Sequence, residues 1–169
     1  MTLAINPESI NVKVGFEIHQ QLATVNKLFC SCKCEETENY KIFFKRKLRP
    51  TQSELGAYDT AALFESKKMH TIKYHAAAGS CCLVEADEEP PHEVNREALE
   101  TALIVSLTLH SKVADEIHVM RKIVIDGSNT SGFQRTMLIA NGGYLDINGK
   151  KIGVQTICLE EDAAKLISD

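Results

Sequence analysis

Apolar and polar residues alternate strictly near the start of the chain. Over residues 12–19, Val12, Val14, Phe16 and Ile18 fall on one side, and Lys13, Gly15, Glu17 and His19 on the other. That is the period of a half-buried β-strand. Residues i and i+2 of a strand stand side by side, so the pattern sets the Glu17 carboxylate next to the His19 imidazole. Further strands are predicted over 40–47, where aromatic and basic residues mix, over 71–76, with Ile72 and Tyr74 on one face, and over 82–85. Arg49-Pro50 closes the first of these. Thr51-Gln52-Ser53-Glu54 then has capping-box spacing and predicts a helix running toward Ala61-Ala62-Leu63-Phe64, with Gly56 working against it. Residues 87–92 must turn, because Pro90 and Pro91 join neither a ladder nor a helix interior. The clearest helix spans 95–110. Asn95 is its N-cap, Glu97 sits in its first turn, and Ala98, Leu99, Ala102, Leu103, Ser106 and Leu107 form its stripe. His110 falls where it would complement the helix dipole.

The second half reads as extended over 116–125, a small polar loop over 126–132, and three strands over 133–140, 144–147 and 152–159. Asn141-Gly142 and Asn148-Gly149 are tight-turn dipeptides, which predicts an antiparallel meander. The meander delivers Leu159-Glu160-Glu161-Asp162 at a strand end, and Asp162-Ala163-Ala164-Lys165 reads as the opening of a helix that Asp169 cuts short. That last feature predicts a fragment boundary. Strands and helices mix without regular βαβ alternation, so the fold class is α+β with mostly antiparallel sheet.

Composition narrows the function classes. At 169 residues the chain fits one domain with a real core. A net charge of −4 and a pI near 5.9 give no support to nucleic-acid binding driven by electrostatics alone. The one basic run, Lys45-Arg46-Lys47-Leu48-Arg49, reads as a solvated strand end or loop. No stretch has the length of a membrane span and no signal pattern opens the chain, so a cytoplasmic address is expected. There the six cysteines are thiols or metal ligands before they are disulfides. Cys30-Ser31-Cys32-Lys33-Cys34 is an imperfect match to the usual C-x-x-C pair, and only one of Cys81 and Cys82 would face a shared site. Cys30, Cys32 and Cys82 are the candidate ligands of a structural zinc; the plainer reading is small buried or surface thiols.

Glu17 and His19, brought to the acids at 160–162, would give a hard divalent cation a home; alone they read first as an ion pair on a strand face. The loop over 126–132 could expose N–H groups and hydroxyls to a phosphate, though it lacks the G-x-x-x-x-G-K-[ST] order of a P-loop. Alone it reads first as a plain surface loop.

Three segments taken together carry a resemblance. Gly15-Phe16-Glu17-Ile18-His19-Gln20-Gln21-Leu22 with Lys27-Leu28-Phe29-Cys30-x-Cys32 resembles the opening of the B/E subunits of tRNA-dependent amidotransferases. Residues 121–136, from Arg121-Lys122 through Asp126-Gly127-Ser128 to Gln134-Arg135-Thr136, resemble their central signature, and residues 153–165 their strand-to-helix acidic motif. Order and spacing agree over nearly the whole chain. Ile123 with Asp126-Gly127-Ser128, Leu48-Arg49-Pro50-Thr51-x-Ser53-Glu54 and the acidic turn ending in His92 are similar to the archaeal E type. The bacterial Cys-Pro-x-Cys pair is absent, with Cys81-Cys82 near its place, which bears on the zinc site more than on the enzyme.

The resemblance implies part of a cradle-shaped catalytic domain over 1–169, without the insertion, helical and tail domains. It also implies a carbon–nitrogen ligase. ATP and Mg²⁺ would phosphorylate the side-chain carboxylate of glutamate misacylated on tRNA(Gln), and ammonia from an asparaginase-like D subunit would then give Gln-tRNA(Gln). Carried over by motif, Glu17, His19 and Glu160 are catalytic residues and Mg²⁺ ligands, with Glu161 or Asp162 as a further ligand. Arg121, Lys122, Asp126, Ser128, Ser131 and Gln134 would bind ATP or the aminoacyl end of the tRNA. Lys165 could reach a phosphate or remain solvated. The isolated piece is expected to show no turnover. Two other readings compete: a non-catalytic, cysteine-held scaffold module that docks a partner subunit or tRNA, and a metal-dependent hydrolase, which leaves the central motif unexplained.

Overall fold

The computed structural model describes residues 10, 13–35, 37–53 and 55–167. Its organising element is β5 (Phe133–Asn141), the longest strand and the one with most buried positions. β4 (Val119–Ile123) and β3 (Lys112–Val113) pair with it in succession. β8 (Thr156–Glu160) pairs over 136–141, which both of the others partly share. A strand has two edges, so β8 must lie on one edge of β5 and β3 and β4 on the other. All three pairings are antiparallel, which bears out the α+β reading.

Pleating gives this sheet two different faces. Met137, Ile139 and Leu159 point to one, where α2 (Arg96–Thr108) lays down Ala98 and Ala102 beside Phe29 and Val84. This is the core. α2 forms as its sequence indicates: the Asn95 side chain accepts from the N–H groups of Glu97 and Ala98. Ala98, Ala102 and Ser106 are buried at helical spacing, while Leu107 from the same expected stripe stays exposed. His110 lies past the helix end at φ 55° and stacks on Tyr144, with centroids 4.5 Å apart.

β1 (Ile42–Lys47), expected over 40–47, and β2 (Thr71–Ala76), expected over 71–76, form a separate antiparallel ribbon. Between them lies α1 (Thr60–Lys67). Its expected start at 51–54 is corrected: the N-cap is Asp59, whose carboxylate accepts from Ala62 N–H at 2.9 Å. The backbone before it is committed elsewhere, with Thr51 N donating to Ser131 O, Ser53 N donating to Ala57 O, and Gly56 at φ 76°. Glu54, the far end of the expected capping box, lies outside the described residues.

Four other expectations are corrected. Residues 13–22 belong to no strand, and Phe16 and Ile18 are 84% and 86% exposed. Alternation makes a strand only where a ladder partner and a face to bury are supplied; Val12, the first of the expected strand, is outside the described residues. Residues 82–85 form no strand; the chain turns over 83–87, with Ala86 N donating to Cys82 O and Glu88 N to Leu83 O. The meander is interrupted: β6 (Tyr144–Ile147) and β7 (Lys150–Gly153) pair with each other through Asn148-Gly149, and this hairpin is inserted between β5 and its true partner β8. Asn141-Gly142 therefore leads out of the sheet and does not close a hairpin. Residues 162–165 form no helix. One turn has little to offset the cost of nucleation, and Lys165 Nζ instead donates to Gln21 Oε1 at 3.4 Å.

Candidate functional site

The same pleating that makes the core decides which motif residues meet. Lys122 is opposite Gln134, and Thr136 is opposite Glu160, so all four side chains share the sheet face away from the core. Lys122 reaches across β5 and donates to both oxygens of Glu160, at 3.0 and 3.2 Å, while Thr136 Oγ1 donates to Glu160 Oε1 at 3.3 Å. From the other end of the chain, Glu17 Oε1 comes within 3.7 Å of Lys122 Nζ and 3.2 Å of His19 Nε2. Two motifs more than a hundred residues apart thus meet on one ammonium. The hydrogen bond to Glu160, against a smaller desolvation effect, raises the Lys122 pKa, so the ammonium stays charged.

Glu161 goes the other way. Alternation turns it to the core face, where it is 7% exposed and both its oxygens accept from Arg135 Nη1, at 2.9 and 2.8 Å. Burial raises its pKa, and Arg135 partly offsets that. Gln134 Nε2 donates to the Glu161 carbonyl, and Glu161 N–H donates to Arg135 O at 3.0 Å. These bonds fix the backbone that carries Glu160.

The loop over 126–132 is wedged into the structure, with Asn129 and Thr130 at 4% and 3% exposure. Its donors are largely spent internally. Ser128 N–H goes to Asp126 Oδ1, Ser131 Oγ donates to Asn129 Oδ1, and Gly132 N–H goes to Asn129 O. Asp87 Oδ2 accepts from Thr130 Oγ1 at 2.9 Å and from Ser131 N at 3.1 Å. Tyr74 Oη donates to Gly127 O, and Gly127 has φ 87°, with Ile72 Cδ1 2.7 Å from where a Cβ would stand. Arg121 donates to Gln52 O and lies over the Phe133 ring. The acidic turn over 87–92 thus supplies the loop's anchor through Asp87. Nothing in the chain pattern signals that, since the partners are 43 and 44 residues away.

A second cluster lies in the core's wall. The sulfurs of Cys30, Cys32 and Cys82 lie within 4.8 Å of one another, and no other such group of His, Cys, Asp or Glu occurs among the described residues. Cys81 turns away toward Glu85, which Lys27 pairs at 2.5 Å. Residues 25–34 are clipped to the start of α2 by Asn95 N donating to Leu28 O and Asn95 Nδ2 donating to Asn26 O. Burial, then the neighbouring thiols, push Cys32 up to about 12, and burial also raises Cys30. Three soft donors at this separation suit a thiophilic ion such as zinc.

An α+β sheet with an acidic, cation-bridged face fits a catalytic domain. The sequence matches the GatB/GatE catalytic domain family over residues 12–169, and the chain belongs to that family. It is 59% identical over 160 residues to the E-type chain of glutamyl-tRNA(Gln) amidotransferase from Sulfurisphaera tokodaii, covering 95% of this chain and 25% of that protein. It is 54% identical over 165 residues to the proteins of the same name from Aeropyrum pernix and Saccharolobus solfataricus, covering 98% of this chain and 26% of each of theirs. The chain spans about a quarter of the length of these relatives. Among the described residues no helix is long and apolar enough to cross a membrane.

Proposed function

We propose that this chain provides the phosphoryl-transfer face of an ATP- and Mg²⁺-dependent glutamyl-tRNA(Gln) amidotransferase of the archaeal E type, acting in the cytoplasm with an asparaginase-like D subunit. The observation that carries the reading is the meeting of Glu17 and Glu160 on Lys122. A carboxylate repels nucleophiles and would have to expel oxide. Transfer of the γ-phosphoryl group of ATP to a carboxylate oxygen forms an acyl phosphate and releases ADP. Ammonia then attacks the acyl carbon, the C–O bond to phosphate breaks, and the amide nitrogen loses a proton. Both steps crowd negative charge, so the site must supply cations.

Glu17 and Glu160 offer the oxygen donors that Mg²⁺ prefers, with His19 beside them to orient bound water. A bound Mg²⁺ would neutralise phosphate charge there. Lys122 is poised to leave its carboxylate partners for a phosphate oxygen, while Arg121, beside it on β4, faces the other side of the sheet, where it donates to Gln52 O and lies over the Phe133 ring. Gln134 and Arg135 hold the Glu160–Glu161 backbone in place. Asp126, Ser128 and Ser131 act by shaping the loop that borders the site, since their polar groups are engaged within it. The cysteine cluster fits a structural zinc that joins residues 30–32 to the turn at 82.

Glu160→Gln in the complete protein, assayed with its partner, is expected to abolish phosphorylation of Glu-tRNA(Gln) while tRNA binding persists. Retained phosphorylation would remove Glu160 from the role given to it. The thiol cluster also favours a second reading, a zinc-held scaffold that docks a partner. Stoichiometric zinc with no divalent-ion binding at Glu17 and Glu160 would select it.

A further inference from the structure

The outer face of the β1–β2 ribbon combines charge and aromatic surface in a way the acidic composition hides. Register sets Phe43 opposite His75, Lys45 opposite Lys73 and Lys47 opposite Thr71. These positions alternate with Phe44, Arg46, Ile72 and Tyr74, which turn inward, where Phe44 stacks on Tyr74 and Arg46 pairs with Glu88. Outward stand Lys45, Lys47 and Lys73, joined by Lys41 one step before the strand, and all are exposed. None of the four ammonium groups has a carboxylate partner among the described residues, although acids outnumber bases in the chain, 23 to 19. At one end of this row His75 meets Phe43 edge-on at 5.0 Å and Tyr40 at 5.9 Å, and Phe43 is 65% exposed.

We propose that this face binds a single-stranded segment of RNA, the lysines taking phosphates and the Phe43–His75–Tyr40 group stacking a base. Alternate residues on a strand are about 7 Å apart, so Lys45 and Lys47 can serve successive phosphates. Unpaired ammonium groups in a row favour a polyanion. Exposed rings at the end of that row favour one that carries bases over an acidic protein surface. The inference rests on the tRNA-dependent reading above and extends it, naming a surface apart from the Glu17–Lys122–Glu160 face.

The test is binding of a fluorescein-labelled twelve-nucleotide oligoadenylate to the complete protein, by anisotropy across a salt series. Lys45→Gln with Lys73→Gln is expected to flatten the log affinity against log salt slope by about 1.4, at roughly 0.7 per single-strand phosphate contact. Arginine at both positions is expected to keep the slope. Phe43→Ser is expected to weaken binding by about tenfold with the slope unchanged. A 4-thiouridine-bearing RNA is expected to cross-link within residues 40–47 or at His75. Unchanged slope and affinity in folded variants, or cross-links confined elsewhere, overturn the proposal. So does a Phe43→Ser variant that binds RNA normally while the lysine variant loses RNA and polyglutamate alike, which is a generic polyanion patch. Glu160→Gln is expected to leave this binding intact, so failure here and failure of the phosphorylation reading appear in different assays.

Discussion

Lys122 and Arg135 sit on adjacent strands and serve opposite faces of one sheet, and their different burial sets how each responds to mutation. Arg135 neutralises Glu161 in the interior. Arg135→Met should cost about 3–5 kcal/mol at pH 7, because it strands a buried carboxylate. The Glu161 pKa is already raised by burial and would rise further. A carboxyl that holds its proton more tightly folded than unfolded opposes folding above its unfolded value of about 4.3 and ceases to do so below it. The deficit of the variant should therefore shrink as pH falls toward 4, which denaturant melts at pH 7 and pH 4.5 would show; an equal deficit at both would refute the assignment. Gly143 is a backbone case. At φ 110°, a Cβ there would lie 2.6 Å from Leu109 O and closer still to Ser111 Oγ. Gly143→Ala should lose roughly 2–4 kcal/mol in the same melts. At this scale the sequence exposed the acids and His19, because residue type and motif spacing mark them. The role of Lys122 as the bridge between Glu17 and Glu160 was not legible, since it depends on which residue of β4 stands opposite Gln134.

At the scale of elements, the parts whose signals are local were legible. β2 was read to its observed bounds, and α2 to within two residues, from alternation and from the Asn95 cap. Asn95 also ties the 25–34 segment to the helix start, so Asn95→Ala should cost more than an ordinary cap, about 2 kcal/mol, and should loosen the cysteine cluster. Thermal melts with and without added zinc would check both effects. Elements whose fate depends on distant partners were misread. The alternation, over its described part at 13–19, lacks a ladder, the 82–85 run buries Val84 from a turn, and the Asn141-Gly142 signal marks an inserted hairpin's base. An Asn-Gly pair reports a turn; it does not report which strand returns.

For the whole molecule, two clusters divide the labour: three thiols close the core where the N-terminal segment crosses it, and the acids meet on the opposite sheet face. Without metal, Cys30 and Cys32 remain protonated near neutral pH, given their raised pKa values. Zinc must expel those protons, so its apparent affinity should climb by about tenfold per pH unit for each proton released. Competition titrations at pH 6.5 and 8 measure this, and Cys82→Ser should abolish stoichiometric binding. The fold class, the family likeness and the thiol trio were all legible because each motif survives in linear order. The separation of Glu160 from Glu161 was less so, since a run of three acids looks like one ligand set until pleating divides it. The most direct test of the central claim is a manganese-soaked crystal of this chain, examined for anomalous signal at Glu17, His19 and Glu160. The account predicts a peak between the Glu17 and Glu160 carboxylates, with Lys122 displaced from them. An ordered site with Lys122 still bridging both carboxylates and no peak would contradict it.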